Sequence, residues 1–247
     1  MPLASSIRSF RAKVRRSLAH RGLWGTLAYV PAFATYLVQR LDPARKRAET
    51  QAWQVQQQFD HDFGVDTAGI TPLDDLAVVG QHRDLGHYYH GSDPKVFARL
   101  LEQLPIDPAR FTFVDYGSGK GKALLLASLW PFQAVVGVEF AQTLHAVAQR
   151  NIGRFTHSGQ RCRTIRSIHQ DAMQFELPRT PLVLYFYNPF SEVVLAGILH
   201  TVLASLAQQP RDVWICYAHP YAHAPLDQAD FLALVVAHPQ YRIYRNR

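Results

Sequence analysis

The 247-residue sequence holds only two cysteines, Cys162 and Cys216. That is too few for a disulfide framework and fits a reducing compartment. Charged residues make up only 18%, against 48% hydrophobic. This balance excludes a disordered polyelectrolyte and indicates a chain that buries a core. No internal repeat is visible, and the glutamine run is too short to count as low complexity. There is no His-Glu-x-x-His. The histidine pairs "HYYH" (His87, His90) and "HPYAH" (His219, His223) have no cysteine partner, and Pro220 interrupts the second. No metal site is expected. The uncharged run Leu23–Gln39 is seventeen residues long and contains Gly25 and Pro31, at the short end for a membrane span.

Charge is unevenly spread. The net charge is +7, yet residues 1–50 hold ten Lys/Arg and two acids, leaving sixteen Lys/Arg against seventeen acids in residues 51–247. The near-neutral body does not carry a general nucleic-acid surface. The basic and apolar segment 1–50 reads as a helical extension. It either packs on the body, rests as a basic amphipathic helix on an anionic membrane, or acts as a span or targeting peptide. The organisation expected is an extension over 1–50, a turn-rich lead-in over 51–92 and a main domain over 93–247. The expected location is cytoplasmic, with membrane association through the first segment as an alternative.

From Asp93 the pattern becomes regular. "DPKVFARLLEQL" has helical apolar spacing, with Asp93 as N-cap and Pro94 in the first turn. "FTFVDYG", "AVVGVEF", "TIRSIHQD", "PLVLYFYNPF" and "RDVWICYAH" read as strands. "KGKALLLASLW", "AQTLHAVAQRNIGRF" and "SEVVLAGILHTVLASLAQQ" read as helices between them. Alternating strands and helices, several strands being continuously apolar, predict an α/β fold: a mostly parallel sheet covered on both faces. After the fifth strand, "DQADFLALVVA" reads as a helix and "YRIYR" as a last strand, which leaves the sheet shorter than usual at that end.

The stretch "VDYGSGKGK" lies where the first strand turns into a helix. In open α/β sheets ligands bind beyond the carboxyl ends of strands. Glycine permits positive φ and lets a ligand approach the backbone. A Walker loop needs Gly-x-x-x-x-Gly-Lys-Ser/Thr, but Ala123 follows Gly121-Lys122 and Tyr116 stands five before Gly121. A dinucleotide loop needs Gly-x-Gly-x-x-Gly, and here the third glycine comes one residue early. The pattern Asp-x-Gly-x-Gly-x-Gly is filled by Asp115, Gly117, Gly119 and Gly121, with Ser118 between the first two glycines.

This stretch resembles motif I of class I S-adenosylmethionine-dependent methyltransferases, and the resemblance covers roughly residues 85–220. It implies a three-layer Rossmann-like sheet and S-adenosylmethionine as cofactor. It also implies that Glu139, closing "VVGVE", accepts both ribose hydroxyls, a task that suits a carboxylate. Asp171, with Ala172 beside it in "HQDAMQF", is implied to meet the adenine. "YFYNPF", Tyr187 to Phe190, occupies the place of the motif that faces the departing methyl.

Methylases of planar amino groups carry a polar residue, two prolines and an aromatic at this motif. Asn188-Pro189-Phe190 is one proline short. The chain is also similar to the non-SET lysine methyltransferases, in which an upstream tyrosine and a Ser/Thr-Pro-like segment close over the cofactor. "HYYHGSDP" then implies Tyr89 and Ser92; the alternative is an ordinary loop capping the helix at Asp93. On this resemblance the enzyme N-methylates an amine acceptor such as a protein lysine. Asn188 orients the amine, and Tyr187, Pro189 and Phe190 line its channel. A lysine must first lose its proton, because its free pKa is about 10.4, and a dry pocket without a carboxylate favours the neutral amine. Two other readings stay open. One is a non-catalytic sensor or scaffold that binds the cofactor; the other is a methyltransferase acting on RNA or a small molecule.

Overall fold

The computed structural model describes residues 43–71, 89–187, 190–220 and 223–247. The basic and apolar segment before residue 43, with its membrane reading, lies outside the described residues, as do His87, Asn188 and Pro189. No helix among the described residues is long and apolar enough to cross a membrane. The chain divides into two units, 1–52 and 53–247. Of the first, the described residues are the helical 43–52.

The elements are α1 (Pro43–Phe63), β1 (Ile70–Thr71), β2 (Tyr89–His90), α2 (Pro94–Glu102), β3 (Thr112–Tyr116), α3 (Lys122–Ala127), β4 (Ala134–Glu139), α4 (Gln142–Arg154), β5 (Ile165–His169), β6 (Leu182–Tyr187), α5 (Glu192–Gln208), β7 (Val213–Ala218), α6 (Ala224–Asp227), β8 (Leu232–His238) and β9 (Tyr241–Asn246). As the sequence suggests, α2 starts at a cap: the Asp93 carboxylate accepts from the Lys95 and Val96 amides, and Pro94 takes a first-turn position where no amide is needed.

The seven-stranded sheet has the order β5-β4-β3-β6-β7-β9-β8. The pairs β3–β4, β4–β5, β3–β6 and β6–β7 are parallel. β9 runs antiparallel to both β7 and β8. Chain progress reverses between β3 and β6, which creates the crevice where open α/β sheets place ligands. Alternate residues of each strand face opposite layers. Val114, Tyr116, Val138, Leu184 and Phe186 pack toward α5, against Leu195, Ile198 and Val202. Phe113, Val135, Val183, Tyr185 and Cys216 pack toward α2 and α3, where Phe97 meets Phe113 and Tyr185. This is the mostly parallel Rossmann-like α/β fold that the strand pattern predicts.

The helix expected over "DQADFLALVVA" is a correction. Only Ala224–Asp227 is helical there, and Leu232–His238 is a strand. The pairing of β8 with β9 carries a register shift between Leu234 and Val236, so two successive residues, Leu234 and Val235, both reach solvent. A bulge of this kind breaks the two-residue alternation that identifies a strand. The β-branched run prefers the pleated edge, and its ladder with β9 outweighs any local helical spacing. The sheet is therefore not short at this end; it finishes with an antiparallel pair.

Candidate functional site

The strand β3 ends in the crevice and hands the chain to five residues held in an unusual backbone. Gly117, Gly119 and Gly121 have φ of +74°, +52° and +85°. Side chains avoid this left-handed region, so the alternating glycines are what the turn requires. The amides of Gly117 and Ser118 both donate to the Val138 carbonyl, at 2.9 and 3.1 Å, tying the loop to β4. One position further along the face, Gly137 is mandatory for a different reason. A Cβ there would stand 2.6 Å from Ser118 Oγ and 2.7 Å from Leu124 Cδ1.

Two carboxylates flank the loop. Glu139, at the end of β4, accepts from the Gly119 amide at Oε2 (2.7 Å) and from the Ala141 amide at Oε1 (2.8 Å). It is 3% exposed. Burial pushes its pKa up to about 7, against the opposing pull of the Ala141, Gly119 and Phe140 amides. Asp115, also 3% exposed, is raised well above the usual carboxylate range, first by burial and then by the nearby Glu139 charge. No hydrogen-bond donor to the Asp115 side chain is found among the described residues. Each oxygen of an ionised carboxylate has two acceptor positions. Two amides therefore orient Glu139 and leave acceptor capacity for a diol.

The lead-in segment braces the loop from outside. Lys120 Nζ donates to Asp66 Oδ1 (2.7 Å) and to the Ala68 carbonyl (2.9 Å). The buried Asn151 side chain of α4 donates to the Lys120 and Asp66 carbonyls, both at 2.8 Å, and accepts from the Asp66 amide at 2.9 Å. The Asp60 carboxylate gathers the Thr67 and Ala68 amides and the Thr67 hydroxyl. None of Asp60, Asp66, Lys120 or Asn151 was expected to serve the site. The Asp66–Asn151 bonds span 85 positions, so no local pattern announces them.

The structure brings Asp115, Gly117, Ser118, Gly119, Gly121 and Glu139 together at the carboxyl ends of β3 and β4. Ser92 joins them from the other side: it is buried and accepts from Tyr185 Oη at 3.1 Å, and Tyr185 pairs with Asp115 across the β3–β6 ladder. Gln56 of α1 donates to the Gly91 carbonyl at 3.2 Å. Tyr89 lies in β2, paired with Thr71. Asp171 caps a short 3-10 turn, its carboxylate accepting from the Met173 amide at 2.9 Å, and Ala172 is buried beneath it. Tyr187 closes β6, half-buried, with its ring 5.0 Å from that of His219. Phe190 is buried in the α5 layer with Val194 and Leu195.

His219 lies just past β7, where the sequence allows either a pocket-lining or, more readily, a solvated loop histidine. It is a non-glycine residue at φ +48°, a strained conformation that concentrates at functional positions. The residue is exposed, yet its ring lies 5.0 Å from that of Tyr187. Partial burial lowers its pKa, with the Asp93 charge acting in the opposite direction. His223 instead bonds Asp227 at 2.8 Å. No group of three metal-ligating side chains exists among the described residues.

No family model matches the chain, and no curated protein matches it. Among solved structures it is similar to TrmN from Thermus thermophilus, at 18% identity and a TM-score of 0.46, over 62% of this chain and 49% of that one. A predicted N6-adenine-specific DNA methylase from Listeria monocytogenes gives 11% and 0.47, over 63% and 51%. Magnesium protoporphyrin IX methyltransferase from Synechocystis, solved with bound SAM, gives 15% and 0.41, over 61% and 75%. The chain thus spans about half the length of the first two.

Proposed function

We propose that the chain is a class I methyltransferase that binds S-adenosylmethionine on the Gly117–Gly121 loop and methylates an amine, with a protein lysine as the favoured acceptor. The observation that carries the reading is the pairing of that loop with Glu139. A left-handed glycine turn at the sheet's reversal point is bonded to a carboxylate that keeps acceptor capacity. The residues fit the group. Glu139 suits two ribose hydroxyls, the three glycines of the loop suit the close approach of a nucleoside to the backbone, and Asp115, without a donor among the described residues, would accept from an α-ammonium. When bound, S-adenosylmethionine supplies a methyl already activated on a sulfonium.

What remains for the protein is alignment, worth several kcal/mol in well-oriented systems. The segment carrying Ser92 narrows the site from one side, while Tyr187 and His219 form an aromatic rim at the ends of β6 and β7. Such a rim excludes water from the incoming amine and favours its neutral, nucleophilic form. Asn188, outside the described residues, is the side chain we assign to orienting that amine. The lysine preference rests on the Tyr187–Phe190 stretch and its likeness to the non-SET lysine methyltransferases.

Calorimetry with S-adenosylhomocysteine tests the reading. Glu139→Ala is expected to weaken binding about 10- to 100-fold, the scale of losing charge-assisted hydrogen bonds, with Asn188→Ala sparing binding but lowering turnover. Unchanged affinity in Glu139→Ala removes the ribose role. Tritiated methyl transfer to protein, RNA and lipid fractions of a lysate then names the acceptor class, and binding without transfer to any fraction favours a sensor.

A further inference from the structure

Two lysines stand two residues apart on the glycine loop, and they are treated in opposite ways. Lys120 is anchored to Asp66 and the Ala68 carbonyl. Lys122 is 1% exposed, and its Nζ has no hydrogen-bond partner among the described residues. The ammonium lies 4.7 Å from the centroid of the Phe59 ring. The nearest carboxylates act on it only through space. Asp60 is committed to Thr67 and Ala68, and Asp93 to the amides that open α2.

A cation withdrawn from water without a counter-ion costs several kcal/mol. A methionine or leucine would fill the same space without that cost. A ring face offsets only part of it. Ser118 Oγ, on the loop that leads into Lys122, is likewise buried without a partner among the described residues. Two unsatisfied donors on a ligand-binding turn call for an acceptor, and a full positive charge calls for an anion. We infer that Lys122 is the counter-ion for the α-carboxylate of the ligand's amino-acid tail, which makes it the residue that tells an amino-acid-bearing nucleoside from one without the tail.

This inference rests on the nucleoside reading proposed above, and the experiment separates the two. The full chain is titrated calorimetrically with S-adenosylhomocysteine and with 5′-methylthioadenosine, which shares the nucleoside and thioether but has no amino-acid tail. Lys122→Met is expected to weaken the first ligand at least tenfold and to leave the second within twofold. Lys122→Arg, which keeps the charge, retains most of the first. Burial lowers the Lys122 pKa to about 8, with Asp60 and Asp93 opposing. In the wild type, affinity for the first ligand is therefore expected to fall as pH rises through about 8, and affinity for the second is not.

Equal losses for both ligands in Lys122→Met, or no loss for either, overturn the inference while the nucleoside reading stands. Failure of the wild type to bind either ligand overturns both. Should Lys122→Met not fold, Lys122→Arg and the wild-type pH limb decide alone: a limb that persists unmoved in Lys122→Arg, or that is also seen with the tail-less ligand, rejects the assignment.

Discussion

On the α5 side of the sheet, Val114, Tyr116, Val138, Leu184 and Phe186 meet Leu195, Ile198 and Val202 in a layer without a buried charge. On the α2–α4 side the same strands deliver Asp115 and Glu139, and α3 opens with Lys122. These are the buried charged residues among those described: Asp115 and Lys122 flank the glycine loop in sequence, and Glu139 reaches it across the β3–β4 pair through the Gly119 amide. One side is close-packed hydrocarbon that stabilises the fold; the other concentrates groups whose burial costs stability in the ligand-free protein. Stability and binding are therefore separable by side, and substitutions can test how completely.

The sharpest break is expected on the apolar side. Phe186 stacks on Tyr116 at 5.1 Å and meets Tyr217 edge-on at 6.1 Å. Phe186→Ala is expected to cost about 3–5 kcal/mol in denaturant unfolding. The affinity of the folded fraction for S-adenosylhomocysteine should stay within about twofold of wild type.

The polar side is probed by pH. Below about pH 4.5 the Glu139 side chain is protonated in both the folded and unfolded chains and carries no penalty. Between 4.5 and about 7 only the unfolded chain ionises freely, so stability falls with rising pH and levels off above 7. That span corresponds to about 3 kcal/mol. The gap between Glu139→Gln and wild type should therefore move by about 3 kcal/mol in favour of the variant from pH 4 to pH 8, read by denaturant unfolding without ligand. A gap independent of pH would show that the Glu139 pocket is wet.

The smallest effect belongs to the brace. Lys120 is mostly covered but its partner Asp66 is 62% exposed, and water screens such a pair. Asp66→Asn is expected to cost under about 1 kcal/mol, measured by thermal unfolding. A larger loss would mean that the loop depends on the lead-in segment.

The parallel strands, the cap at Asp93 and the glycine loop were legible because each is written locally, in an apolar run, a capping side chain or a spacing of glycines. Glu139 was singled out only through the resemblance, which expects an acid at the end of the second strand; its bond to the Gly119 amide is a tertiary contact. Local signals failed at 232–238, where the bulge interrupts the alternation. They also failed for Lys122, which sits directly before an apolar run and gives no sign in sequence that its amine is buried against Phe59. Asp66 and Asn151 reach the loop, and His219 reaches Tyr187, only through tertiary contact. The reason for Gly137 emerges only when Ser118 is seen lying across it.

The strand β9 comes last in chain order, yet it lies between β7 and β8. Until Tyr241–Asn246 has been synthesised, β8 has no neighbour and β7 keeps an open edge of backbone donors and acceptors. A free polypeptide lacking Tyr241–Asn246 would thus leave two ladders unpaired at once, the kind of surface that invites pairing with other chains. Closure of this half of the sheet waits on the one strand that pairs with both of its edges.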